Sequence, residues 1–192
     1  MKHRRLLGIV AFLSAGGWLS ATMAPRLTIE ELVERSDLIV EGRCLRTWSA
    51  WDAPTQFVWT HTEIQVWDSL KGDVLRTVVV SEPGGAIDGV EMSIDGVPRY
   101  RPGEDVVAFL YRTPIGLLRS RGLGQGKFRV VAGPAGGVLR VQAELEGAAI
   151  VEPAGAVRPA GTGLQRLQGT PLQEFKSRVR GLIARRAKGD GR

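Results

Sequence analysis

The chain has 192 residues, a formal net charge of +6, one Cys and two His. A single thiol excludes an internal disulfide, and so few Cys and His residues exclude a zinc site of ordinary ligand spacing. Seven basic residues fall between Lys176 and Arg192 against one acidic residue, so the rest is near neutral and the charge does not point to nucleic acid.

Residues 1–24 read as a secretory leader. Lys2, Arg4 and Arg5 form a basic head, Leu6 to Leu13 an apolar middle, and small residues lead to Ala24. Cleavage is expected after Ala21 or Ala24. The leader holds three basic residues and no acidic one, so its removal lowers the net charge to +3. No later stretch is long or apolar enough for a membrane helix. The remaining 168 residues suit one domain.

Next, Thr28 and Glu31 have capping-box spacing and predict a short helix ending near Ser36. Leu38 to Trp48 predicts a long strand, with Gly42 at a bulge or bend. Cys44 shares a strand face with apolar neighbours and reads as a small core residue. Ser49 to Thr55 reads as a loop. Phe57 to Leu70 is a second long strand of period two. Val58, Thr60, Thr62, Ile64 and Val66 share the face expected to be core; Phe57, Trp59, His61 and Trp67 share the other. Leu75 to Glu82 is a third strand, broken at Pro83-Gly-Gly85.

Asp95-Gly96 carries a hairpin signal, while Pro98 and Pro102 confine its second arm to an edge or a loop. Val106 to Tyr111 is apolar without alternation, as in a strand covered on both faces. Thr113 to Gly116 is a turn. A further hairpin joins Phe128–Val131 to Val138–Val141. Residues 152–169, rich in Gly, Pro and Ala, read as a surface loop. From Thr170, a helix carries the stripe Leu172, Phe175, Val179 and Leu182. Lys176, Arg178, Arg180, Arg185 and Arg186 are expected outside that stripe, and the tail from Ala187 is expected to be disordered. The domain plan is leader 1–24, β domain 25–151, loop 152–169, and helix with basic tail 170–192. The fold class is mainly β: a small closed or partly open barrel with a helix at each end.

The order of features resembles a known module. Ser36-Asp-Leu-Ile-Val-Glu-Gly42 leads to a long strand closed by Leu70-Lys-Gly72. A Val-rich strand, a Gly-rich loop, Arg101-Pro-Gly-Glu104 and the strand with Phe109-Leu110 follow. This is similar to the netrin-like module, the oligonucleotide/oligosaccharide-binding-type barrel of the tissue inhibitors of metalloproteinases. Gln125-Gly-Lys-Phe128 and the span 28–131 also resemble a group of uncharacterised exported bacterial proteins. Those inhibitors begin with a disulfide-bonded Cys that chelates the protease zinc. Cys44 is far from any mature N-terminus, so no inhibitory residue carries over.

The chemistry on offer is narrow. His61 is the only His after the leader, and no Gly-x-Ser-x-Gly accompanies it. Gly122, Gly124, Gly126 and Lys127 fail as a phosphate loop because Arg121 and Phe128 stand where Gly and Ser or Thr are needed. They fail as a dinucleotide fingerprint too, and read as a flexible approach to the next strand. The carboxylate pairs Glu30/Glu31, Glu104/Asp105 and Glu144/Glu146 sit at caps and turns. Phe57, Trp59, His61 and Trp67 form the candidate contact patch, unless a helix covers it. The expectation is an exported, non-enzymatic binding or interaction module without cofactor or metal. Its expected partner is another exported protein, with no nucleic acid and no stable membrane span. The alternatives are a secreted metalloprotease inhibitor or protease-accessory protein, and third a hydrolase with an unrecognised site.

Overall fold

The computed structural model describes residues 23–134, 136–144, 149–151 and 163–189. The leader reading therefore falls outside the described residues, apart from Met23 and Ala24. Its strands are β1 (Met23–Pro25), β2 (Leu38–Asp52), β3 (Phe57–Lys71), β4 (Thr77–Pro83), β5 (Gly85–Ile87), β6 (Val90–Met92), β7 (Asp105–Arg112), β8 (Leu118–Ser120), β9 (Lys127–Ala132), β10 (Leu139–Ala143) and β11 (Ala149–Val151). The helices are α1 (Ile29–Arg35) and α2 (Leu172–Gly189).

Seven strands form one sheet in the order β10-β9-β7-β2-β3-β4-β8, and β8 also pairs with β7. The sheet is thus partly ringed. Its seam is thin: β4 and β8 run parallel and share one register pair, Val80 with Leu118.

The long β2–β3 hairpin forms the ring's backbone. Its pairing shifts register at three points, one beside Gly42. A Cβ at Gly42 would lie 2.1 Å from the Gln65 carbonyl oxygen, so only Gly lets the strands approach there. Ser49 to Asp52, expected as loop, continues β2 and pairs with Phe57 to Thr60. The partner strand decides this extension, which local composition does not reveal.

Two cores lie on opposite faces of the sheet. Inside the ring are Leu38, Val40, Cys44, Ile64, Val78, Val80, Val106, Ala108 and Leu110. On the outer side, Ile39, Val107, Phe109, Phe128 and Val141 meet α1 and α2. Residues Val106 to Leu110 are all fully buried, so the unalternated run is covered on both faces, by the ring interior and by the helices. Burial pushes the Cys44 thiol up to about 12, with the Glu104 charge adding to the effect. A thiol reagent should therefore label Cys44 only after denaturant is added; rapid labelling of the native protein would mean that β2 leaves its place in the ring.

The Thr28 hydroxyl accepts from the Glu31 N–H, and the Glu31 carboxylate from the Thr28 N–H, at the start of α1. Lys71 closes its other end, donating to the carbonyls of Val33 (2.7 Å) and Ser36 (2.5 Å).

α2 docks through Leu172, Phe175 and Val179, all buried. Lys176, expected outside that stripe, is buried too. It pairs with Glu41 of β2 and, at 2.6 Å, with Asp68 of β3. An apolar stripe predicts only the centre of an interface; a long cation at its border can reach inward to carboxylates. Burial opposes ionisation of Asp68, but Lys176 and Arg180 outweigh it and hold its pKa below the usual range. The helix runs to Gly189, past the expected start of the tail at Ala187; residues 190–192 lie outside the described residues.

Three other expectations need correction. The hairpin falls not at Asp95-Gly96 but at Asp88-Gly89, which joins β5 to β6. Both turn residues have positive φ, 48° and 77°, as a type I′ turn requires. The approach to β9 is not flexible: Leu123–Gly126 is a 3-10 turn with Gly124, Gln125 and Gly126 buried. The predicted loop 152–169 lies outside the described residues up to 162. From Leu164 it packs, with Leu164 and Leu167 in the outer core. It also shields the β10 edge: the Val141 N–H donates to Thr170, and the Gly169 N–H to Val141.

Candidate functional site

The predicted contact patch lies on the outer face of β2, β3 and β4. The period-two alternation of β3 sends Val58, Thr62 and Ile64 into the ring, where they are buried. The same alternation sends Phe57, Trp59, His61 and Trp67 outward. Trp67 is 49% exposed, whereas Phe57, Trp59 and His61 are half-buried. Cross-strand pairing adds Trp48, opposite His61 with ring centroids 5.4 Å apart and 38% exposed. The sequence reading left Trp48 out because the β2–β3 register, interrupted by bulges, is not visible in one strand alone.

Arginines order this face. Arg43 lies over the Trp67 ring at 5.3 Å, and its Nε and Nη2 both donate to Asp105. Arg46 lies over Trp48 at 5.0 Å and pairs with Glu63 at 2.6 Å. Arg119 lies over Trp59 at 5.6 Å. The helices pack instead on Ile39, Val107, Phe109, Phe128 and Val141, so the exposed Trp rings are not under them.

His61 has a serine partner that sequence spacing did not reveal. Register places Ser81 opposite it, and the Ser81 hydroxyl lies 2.8 Å from His61 Nδ1. Burial lowers the His61 pKa, favouring the neutral ring. Ser81 is only 2% exposed. The pair satisfies a buried hydroxyl.

The inner face carries a polar cluster of its own. Val78, Val80 and Glu82 alternate inward on β4. Glu82 is buried at the ring's end; its Oε1 accepts from the Ser120 N–H at 2.6 Å, and Arg119 Nε lies 3.4 Å from Oε2. Burial raises the Glu82 pKa against the lowering by Ser120 and Arg119. The Tyr100 hydroxyl meets the Ser120 hydroxyl at 2.7 Å. Burial, and then the Glu82 charge, push the Tyr100 pKa well above its usual value. Above this cluster, β5, β6 and the segment to Arg101 enclose a cleft of about 330 Å³.

Of the predicted carboxylate pairs, Glu104/Asp105 divides between two partners. Asp105 binds Arg43 on the outer face, while Glu104 and Glu144 converge on Lys127 at 2.8 and 2.5 Å. Glu146 lies outside the described residues. Lys127 is fully buried and also donates to the Arg99 carbonyl at 2.5 Å. Gln125 ties the N-terminal segment down: it accepts from the Leu27 N–H and donates to the Pro25 carbonyl. The Gln125-Gly-Lys-Phe128 motif is thus a structural hub.

Among the described residues, no three His, Cys, Asp or Glu side chains gather as metal ligands would, and no helix is long and apolar enough to cross a membrane. No family model matches the chain, and no curated protein matches its sequence.

Proposed function

We propose that the protein is an exported, non-enzymatic interaction module, built on an oligonucleotide/oligosaccharide-binding-type barrel of the netrin-like kind. Its partner is another exported protein, docked on the outer face of β2, β3 and β4. The ring order β7-β2-β3-β4-β8, with parallel contact between β4 and β8, supports the barrel type. The basic head and apolar run of residues 1–24 support export.

One observation carries the function. Trp48 and Trp67 are exposed, yet each is held by an arginine that is itself ion-paired. Large apolar rings left in water mark contact surfaces, and Trp with Arg dominates binding hot spots. Fixing them beforehand reduces the ordering cost of binding. A guanidinium already covers one face of each ring, which leaves less bare ring for a sugar to stack on. A protein can use the ring edges and the arginines together.

The test pairs Trp48→Ala and Trp67→Ala in binding to proteins of the native envelope fraction. Each variant should lose a partner that the parent captures and cross-links, while its stability stays within about 1 kcal/mol of the parent, as for surface positions. A loss of ~3–5 kcal/mol would show instead that the rings are core residues, and the docking face would be wrong.

A further inference from the structure

The cleft lies on the inner side of the ring, across β3 from the exposed Trp48 and Trp67 rings. Thr60 and Glu82, at its floor end on β3 and β4, line it together with Met92, Ile94, Arg99 and Tyr100. A volume of about 330 Å³ is in the range of small-molecule sites. We propose that this cleft binds a free amino acid, with the ligand's ammonium on the Glu82 carboxylate and its carboxylate on the Arg99 guanidinium.

The floor has one counter-charge, Arg119, whose Nε lies 3.4 Å from Glu82 Oε2. Glu82 is 3% exposed. Each carboxylate oxygen has one contact, Oε1 with the Ser120 N–H and Oε2 with Arg119, and a carboxylate oxygen can accept a second. Arg119 reaches it only at 3.4 Å and is shared with the Trp59 ring. Burial raises the pKa of the group despite these contacts, and an ammonium in the cleft would add a further partner for the carboxylate.

The rim offers the opposite charge. Arg101 is engaged by Glu104 and Glu144. Arg99 is exposed, touches only the Ser93 hydroxyl at 3.4 Å, and has no carboxylate partner among the described residues. A free guanidinium at a cleft mouth is a ready site for a carboxylate. Glu91 also lines the cleft. A simple cation would meet Arg99 and a simple anion would meet Glu82 and Glu91, so a small molecule carrying both charges is the best match.

The test titrates the full chain with individual common amino acids at millimolar concentration, read by backbone amide NMR. Methylamine and acetate serve as single-charge probes. At least one amino acid should shift resonances of residues 82–86 and 91–101, and both probes should bind at least ~10-fold more weakly. Arg99→Ala changes an exposed residue and should keep the parent melting temperature while weakening binding ~10-fold; Glu82→Gln should weaken it similarly. Trp67→Ala should bind the amino acid like the parent, which separates this site from the outer face. The proposal is overturned if no amino acid moves those resonances, if acetate or methylamine binds as tightly, or if Arg99→Ala binds like the parent.

Discussion

Replacing Phe175 by Asp should lower the melting temperature of the whole domain by roughly 10–20 °C. Phe175 is 1% exposed and forms an aromatic trio with Phe128 at 4.9 Å and Phe109 at 6.2 Å. Truncating a core Phe costs about 3–5 kcal/mol. An aspartate adds the cost of a buried charge without a partner, because the nearest cation on the helix, Lys176, is already committed to Glu41 and Asp68. At this chain size each kcal/mol is worth about 2–4 °C, which gives the range above. The loss should also be cooperative. The trio joins α2 to β7 and β9, and an eighteen-residue helix released from them is marginal by itself. Thermal unfolding followed by circular dichroism measures it. An unchanged melting temperature, together with lost binding to anionic vesicles, would instead make α2 a membrane-surface element.

That interface was legible in the sequence because it follows a single period. Leu172, Phe175 and Val179 lie on one side of a helix whatever surrounds it. The double burial of Val106 to Leu110 and the inward face of β3 were legible for the same reason. What stayed hidden depends on two segments meeting. Ser81 becomes the partner of His61, and Trp48 its stacking neighbour, only through pairing between strands. Register is set by bulges and turns as well as pattern, and β2 shifts register three times against β3. The hairpin falls at Asp88-Gly89 and not at Asp95-Gly96, two Asp-Gly steps that compete within nine residues. The nearer one wins because β5 and β6 pair directly across it.

Replacing Lys127 by Met should cost about 3–5 kcal/mol, the usual penalty for breaking a buried ion pair from one side. The substitution nearly conserves volume, so packing contributes little. Electrostatics contribute most. Lys127 is fully buried, and its ammonium holds Glu104 at 2.8 Å, Glu144 at 2.5 Å and the Arg99 carbonyl at 2.5 Å. Without it, two carboxylates face each other at the end of the ring interior. Arg129, 2.9 Å from Glu104, and Arg101, 3.5 Å from Glu144, compensate in part from partly solvated positions, which places the effect toward the lower end of the range. Adding Glu104→Gln should recover part of the loss, because it removes one of the stranded charges; a coupling of about 0.5–3 kcal/mol is expected for groups in one network. Denaturant unfolding of the two single variants and the double variant measures the cycle. The substitution should also reach the cleft. Lys127 lies 4.9 Å from the Tyr100 ring centroid and fixes the backbone at Arg99, so it anchors the wall that presents the Arg99 guanidinium. Hydrogen exchange at residues 97–101 should accelerate in Lys127→Met beyond the change caused by global destabilisation alone. If stability and exchange both match the parent, the segment is held by its own packing and Lys127 is dispensable to the cleft.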